Sequence, residues 1–284
     1  MVDVIIIGKG PSGVSAALYT ARAGLTTCVV GTDKSALKKA ECIENYYGFE
    51  SISGQELLRQ GEKQLSRLGV EVLDGEVLDV ALSDVFIVTT TSGIMTAKAV
   101  IIATGAPRNT VKIDGLKRLE GKGVSYCAVC DAFFYRKKKV AVLGNSHYAL
   151  HEYNAIKDVA SEATILTNGK PCDEDFGSAK VIDKKIKKLT GDDRLQQVVF
   201  DDDSTLTIDG LFVALGQASA DVLARKIGAV SEQGFIVTNR DMMTTVDGLF
   251  ACGDCVGGLM QISKAVSDGA IAGTSAVRYV KAKK

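Results

Sequence analysis

The segment "SYCAVCDAFF" carries Cys127 and Cys130 in a C-x-x-C arrangement, with Asp131 directly after the second thiol. Thiols at that spacing suit a small reversible disulfide. If a helical turn begins at the pair, its dipole favours thiolate, and the adjacent carboxylic acid can move protons during exchange. The other use of C-x-x-C is half of a zinc site, which needs a second pair or two histidines at matching spacing. "CGDC", Cys252 to Cys255, has the spacing, yet it lies in a strand-end turn where Gly253 and Asp254 have a role of their own. His147 and His151 are the only histidines; four positions apart and beside Glu152, they read as a solvated helix face rather than a metal site. Cys28 falls in a strand as a small core residue, while Cys42 and Cys172 fall in polar loops without an evident partner.

A second chemistry is written in Gly8, Gly10 and Gly13, a G-x-G-x-x-G run directly after an apolar strand and before a helix. In that context Gly8 permits the tight turn, Gly10 lets backbone approach a pyrophosphate and Gly13 allows close helix packing, with the helix N-terminus facing the anion. A purely structural glycine turn is the competing reading. The second strand ends in Gly31 rather than in an acid, with Asp33 two residues on, which leaves ribose recognition by a carboxylate open.

The elements that must hold these residues follow from the apolar pattern. "VDVIIIGKGPSGVSAALYTARAGLTTCVVG" reads as strand, glycine turn, amphipathic helix and strand. The pattern returns from Lys139, with a strand at 140–143, a helix at 146–158 and a strand at 162–167. Each copy has a late strand ending in glycine, "AVIIATGAP" and "GLFVALGQ". Residues 54–90 read as one polar-faced helix and short alternating strands that cover such a sheet. The last segment, from "GLFACGDC" onward, is a strand, a Gly-Asp turn and a long small-residue helix. It follows the second copy but suits a site in the first.

The fold class is therefore α/β: two Rossmann-like, three-layer domains of dinucleotide-binding type, the second inserted in the first. The expected boundaries are 1–108 with 240–284 for the first domain and 109–239 for the second, with Lys281 to Lys284 as a frayed end. The 284 residues, 46% hydrophobic, suffice for two buried cores. With 34 basic and 34 acidic residues, no overall field draws nucleic acid or an anionic membrane. No apolar run spans a bilayer, no leader pattern precedes "VDVIIIG", and the odd cysteine count argues against a secreted disulfide framework, so a cytoplasmic location is expected.

The stretches "GKGPSGVSAALYTARAG", "IENYYGF", "ATGAPR", "YCAVCDAFFYRKKKVAVLG" and "GLFACGDCVGG…QISKAVSDGAIAG" occur in the order and spacing of the low-molecular-weight thioredoxin reductases, which the chain resembles over essentially its whole length. That resemblance implies FAD in the discontinuous first domain. Gly8, Gly10, Pro11, Ser12 and Gly13 would lie at the pyrophosphate, with Asp33, Thr104, Gly105 and Gly253 around the cofactor. Asn45, Gln261 and Ile262 would stand near the flavin, and Asp254 on the ribityl or phosphate portion. The resemblance also implies a homodimer in which Cys130 faces the flavin, Cys127 attacks the disulfide of thioredoxin, and Asp131 gives and takes the proton.

The chain departs from the family where NADPH would bind. The family's G-x-G-x-x-A is here Gly144, Asn145, Ser146, His147, Tyr148, Ala149, so a Cβ and hydroxyl at 146 occupy space a pyrophosphate needs. Its H-R-R-x-x-x-R cluster for the 2′-phosphate is here "TNGKPCD", Thr167 to Asp173, and Lys170 alone cannot replace a planar arginine clamp. The degenerate motif and "KAECIENYYGF" resemble the branch of this superfamily that takes electrons from ferredoxin. The expected function is ferredoxin-driven reduction of thioredoxin through FAD and the Cys127/Cys130 pair, with the basic run Arg136 to Lys139 as a candidate contact for an acidic ferredoxin. An NAD(P)H-dependent reductase with an atypical site is the alternative, and a non-catalytic redox-sensing flavoprotein is the alternative of another class.

Overall fold

The computed structural model describes residues 1–106 and 111–283. The chain divides into two compact units, residues 1–108 with 219–284 and residues 109–218. The crossing expected at 108 lies outside the described residues, as do Pro107 and Arg108 of "ATGAPR" and Lys284. The return to the first unit falls at Ser219, well ahead of the expected 240.

The first unit begins with β1 (Val2–Ile7), α1 (Pro11–Arg22), β2 (Thr27–Gly31), α2 (Gly54–Arg67), β3 (Glu71–Asp74), β4 (Val77–Leu82), β5 (Phe86–Thr90) and β6 (Gly93–Ile102). The Val-Ile run of β1 lacks polar alternation because the strand is central, parallel to β2 on one side and β6 on the other, with Ile7 opposite both Val30 and Ile102. The strands of 71–90, expected as a cover, instead belong to the same sheet: β3 extends its parallel edge beside β2, and β4 and β5 join β6 as an antiparallel meander. Ten residues long, β6 changes character midway. Its first half pairs with β5 and its second half, buried from Ala99 to Ile102, pairs with β1.

The second unit holds β7 (Val124–Ser125), α3 (Ala128–Asp131), β8 (Lys139–Leu143), α4 (His147–Ile156), β9 (Glu162–Leu166), β10 (Lys180–Ile182), β11 (Ile186–Thr190), β12 (Gln197–Phe200), β13 (Thr205–Thr207) and β14 (Gly210–Val213). Five of these make a parallel sheet in the order β10-β9-β8-β14-β7, and β11 to β13 form a separate antiparallel sheet. The helix expected at 146–158 is shorter at both ends, because Ser146 keeps extended backbone as the residue before the first turn.

On its return the chain adds α5 (Ala220–Lys226), β15 (Ser231–Glu232), β16 (Phe235–Ile236), β17 (Leu249–Ala251) and α6 (Ile262–Ala282) to the first unit. β17 pairs in parallel with β6, Phe250 opposite Ile101. α6 lies against α1 so closely that a Cβ on Gly269 would stand 2.2 Å from the Ser12 carbonyl and one on Gly273 would stand 2.6 Å from that of Ala16. Lys281, expected in a frayed end, is part of this helix. Among the described residues no helix is long and apolar enough to cross a membrane.

The early return at Ser219 has a polar anchor. Lys226, at the end of α5, has a side chain only 1% exposed; its ammonium lies 3.2 Å from Asp79 Oδ1 and donates to the Leu78 carbonyl at 3.3 Å. Removing one partner of a buried pair leaves an uncompensated charge, whereas replacing both with apolar groups does not. Asp79→Ala should therefore cost about 3 kcal/mol in urea unfolding, and the double variant Asp79→Leu/Lys226→Met should recover most of it. Equal losses in the two would contradict the buried-charge account.

Candidate functional site

The glycine turn between β1 and α1 is built against the start of the loop that follows β6. Gly8 has φ of +122°, and a Cβ there would stand 2.2 Å from the Ala103 carbonyl and 3.1 Å from the amide of Thr104; one on Gly13 would meet the Gly8 carbonyl at 2.0 Å. Nothing lies within 4 Å of the Cβ direction of Gly10. The α1 N-terminus has no side-chain cap, Pro11 at its first position and no acid in its first turn. Unpaired amides, a dipole and clear space above Gly10 form a seat for a pyrophosphate.

The returning segment closes on the same turn. A Cβ on Gly253 would touch Ser12 Oγ at 2.5 Å, so the Gly253–Val256 turn lies directly on the glycine motif. The turn is held by Lys264, whose ammonium donates to the carbonyls of Gly253 at 2.9 Å and Gly257 at 2.5 Å and pairs with Asp268 at 2.7 Å. The Gly253 amide donates to Asp268 Oδ2 at 3.2 Å. Burial pushes the Asp254 carboxyl up, with the Lys264 ammonium opposing. Asn45 donates to Gln261 Oε1 at 3.1 Å, which brings together two residues far apart in sequence, and Ile262 opens α6 beside them. Thr104 and Gly105 follow the Gly8 contact, with Gly105 at φ of +83°. Asp33 stands exposed, paired with Lys38. The open pyrophosphate seat and this converging rim fit FAD. Lys264 and Asp268 were missed in the sequence; their one signal is the i, i+4 spacing in "SKAVSD".

In the second unit Cys127 and Cys130 form a disulfide with Cα atoms 5.4 Å apart. Cys127 caps α3, its sulfur accepting from the Cys130 amide at 3.1 Å, and its own amide donates to Ser125 Oγ at 3.1 Å. Cys127 is buried and Cys130 exposed. The Asp131 amide donates to the Cys127 carbonyl at 3.2 Å, so Asp131 closes the short turn that carries the pair. Of the basic run, Arg136 and Lys137 are exposed, while Lys139 lies 4.0 Å from Glu162.

The second glycine motif is folded differently from the first. Gly144 is still required, since a Cβ there would meet the Ala214 carbonyl at 2.2 Å and the Ala149 methyl at 2.7 Å. The Ser146 hydroxyl donates to the Gly216 carbonyl at 2.8 Å. The loop of 171–174 then folds onto the residues that open α4. Asn145 donates to the Pro171 carbonyl at 2.8 Å and to Asp173 Oδ2 at 3.1 Å, the Asp173 amide donates back to the Asn145 carbonyl at 2.8 Å, and His147 Nε2 lies 2.9 Å from Glu174 Oε1. His147 is thus tied to an acid rather than merely solvated, and His151 is half-buried with its own partner. No group of three or more metal-ligating side chains occurs among the described residues.

The remaining thiols differ sharply in burial. Burial, with Glu71 adding to it, pushes Cys28 up to about 12. Burial likewise pushes Cys255 up to about 12 and Cys252 well above its ordinary value. Cys255 donates to the carbonyls of Cys252 and Ile102, at 3.2 and 3.4 Å, as a protonated core thiol does. Cys42 is exposed with Ser51 Oγ at 3.1 Å, a partner the sequence did not reveal, and Cys172 is exposed. At pH 8 a thiol held near 12 is ionised to about one part in ten thousand. Ellman's reagent on the native, oxidised protein should react quickly with Cys42 and Cys172 and reach Cys28, Cys252 and Cys255 only after denaturation. Fast modification of Cys255 would contradict the buried geometry.

Comparison with known proteins meets this geometry from the outside. A family model described as pyridine nucleotide-disulphide oxidoreductase matches residues 2–269. The thioredoxin reductase of Bacillus subtilis (strain 168) is 35% identical, over 98% of this chain and 95% of its own length. The crystal structure of an atypical thioredoxin reductase from Desulfovibrio vulgaris Hildenborough superposes with a TM-score of 0.95 at 37% identity, covering 100% of this chain and 99% of the other. A ferredoxin-flavin thioredoxin reductase from Clostridium acetobutylicum does so with a TM-score of 0.76 at 30% identity, covering 99% and 98%.

Proposed function

The chain belongs to the pyridine nucleotide-disulphide oxidoreductase family, as an FAD-binding flavoprotein disulfide reductase of the thioredoxin reductase type, and from that premise we propose that it carries electrons from reduced ferredoxin to thioredoxin. One observation carries the choice of donor: the loop of 171–174 is bonded to Asn145 and His147, on either side of Ser146 in the motif where a nicotinamide dinucleotide would put its phosphates. Asp173 and Glu174 add carboxylates to the residues of this motif, and the Ser146 side chain stands where the family has glycine. Like charge repels the ligand, and no arginine fork compensates. The likeness to a ferredoxin-flavin thioredoxin reductase supports the same donor.

Bound FAD supplies the ability to accept electrons singly and to pass a pair to a disulfide. The α1 turn, Asn45, Asp254, Gln261 and Ile262 would hold it. The protein's own chemistry is then dithiol exchange. The thiolate of reduced Cys127, stabilised by the Cys130 amide, attacks one sulfur of the thioredoxin disulfide; a mixed disulfide forms and the other thioredoxin sulfur leaves, taking a proton from Asp131. Cys130, its proton passing to Asp131, attacks Cys127; the 127–130 bond re-forms, and the second thioredoxin sulfur leaves and is protonated. Since Cys127 is only 6% exposed, its segment must open before it meets an outside disulfide. The functional unit is a homodimer by the same family likeness, and its place is the cytoplasm, where thiols stay reduced.

The test is turnover. Purified protein with thioredoxin should release thioredoxin thiols rapidly when given enzymatically reduced ferredoxin and slowly, by at least a hundredfold, when given NADPH. Comparable rates with NADPH would overturn the choice of donor, and loss of ferredoxin-driven turnover in Cys127→Ser is expected alongside.

A further inference from the structure

The helix α4 follows the degenerate nucleotide motif and carries a second functional group one turn further on. Glu152 is 1% exposed, and its Oε2 accepts from the amide of Ala128 at 2.5 Å. Ala128 is the residue after Cys127 and the first of α3. A carboxyl group buried to this degree needs hydrogen-bond donors for its oxygens, and the Ala128 amide is one. Tyr148 on the same helix adds a second tie, its hydroxyl donating at 3.0 Å to the carbonyl of Tyr126, immediately before Cys127. The α4 helix thus grips the redox segment on both sides of Cys127.

The consequence for the thiols has a definite sign. A thiolate on Cys127 would be stabilised by the amides of the first turn, and the Cys130 amide already reaches its sulfur. The Ala128 amide is committed to Glu152 instead. A negative charge on the group that holds the residue next to Cys127 would also raise the free energy of a thiolate there. Both effects disfavour the reduced pair, and a pair whose reduced form is disfavoured is the stronger reductant.

We propose that Glu152 is a positioning residue for the redox pair: its buried carboxylate, bonded to the Ala128 amide, biases Cys127–Cys130 toward the disulfide and so makes the reduced pair a better donor to thioredoxin. This rests on the pair being the redox dithiol assigned above. It also accounts for the survival of α4 after its nucleotide motif has decayed, since the helix still supports the thiols.

The FAD-loaded protein can be equilibrated in mixtures of reduced and oxidised dithiothreitol, where reduction breaks the 127–130 bond and closes the cyclic dithiothreitol disulfide. The state of the pair is read by maleimide trapping and mass spectrometry of its peptide, which neither the flavin nor the donor affects. In Glu152→Gln, which keeps an acceptor for the amide and loses the charge, the equilibrium should move about tenfold toward the dithiol, equivalent to about 30 mV. Glu152→Asp, which keeps the charge, should remain within threefold of the wild type. A Gln variant within twofold of the wild type would overturn the role, as would equal shifts in the Asp and Gln variants, which would mark a packing effect. A wild-type pair that never cycles would instead overturn the dithiol assignment itself.

Discussion

A helix that opens from a glycine turn points unpaired amides and a partial positive charge at the space before it, and something negative must fill that space or water must. Two of the described helices begin that way, each without a side-chain cap or an acid in its first turn, and they differ in what the residues before them are bonded to. Before α1 the seat is kept clear: no side chain caps it, no acid stands in the first turn, and the direction above Gly10 is empty. Before α4 the neighbouring residues are engaged by the protein itself, through Asp173 on Asn145 and Glu174 on His147. The first arrangement fits the pyrophosphate of FAD. The second is the basis for proposing that no dinucleotide exchanges there.

Much else in the first unit serves that clear seat. Gly8 and Gly13 let the turn pack against the start of the loop after β6, and Gly269 and Gly273 let α6 approach α1 to distances no side chain would allow. Lys264 fixes the Gly253–Val256 turn through two carbonyls and Asp268, so the rim of the open seat is tied to the same helix that packs on α1. In the second unit α4 is bonded to the residues on both sides of Cys127 through Glu152 and Tyr148.

What was legible in the sequence was local. The glycine turn after β1, the C-x-x-C pair and the continuous apolar strands announce themselves because turn geometry and burial on both faces restrict residue type within a few positions. Ser146 and the missing arginines were legible for the same reason. The contacts that decide the second site were not. "TNGKPCDEDF" reads as a solvated loop, and only the folded chain brings Asp173 and Glu174 to Asn145 and His147. Lys226 and Glu152 escaped because charged residues are assigned to the surface by default, while each is buried against a specific partner. The return at Ser219 has no mark in composition, since the chain crosses without a proline- or glycine-rich linker.

The central claim is that α4 no longer offers a seat to a nicotinamide dinucleotide while the flavin site stays intact. Anaerobic rapid mixing of the FAD-loaded protein with NADPH, and separately with NADH, reports this directly through the flavin absorbance band. The account predicts that the flavin stays oxidised with either nucleotide over the time in which reduced ferredoxin bleaches it. Bleaching by NADPH or NADH as fast as by ferredoxin would contradict it.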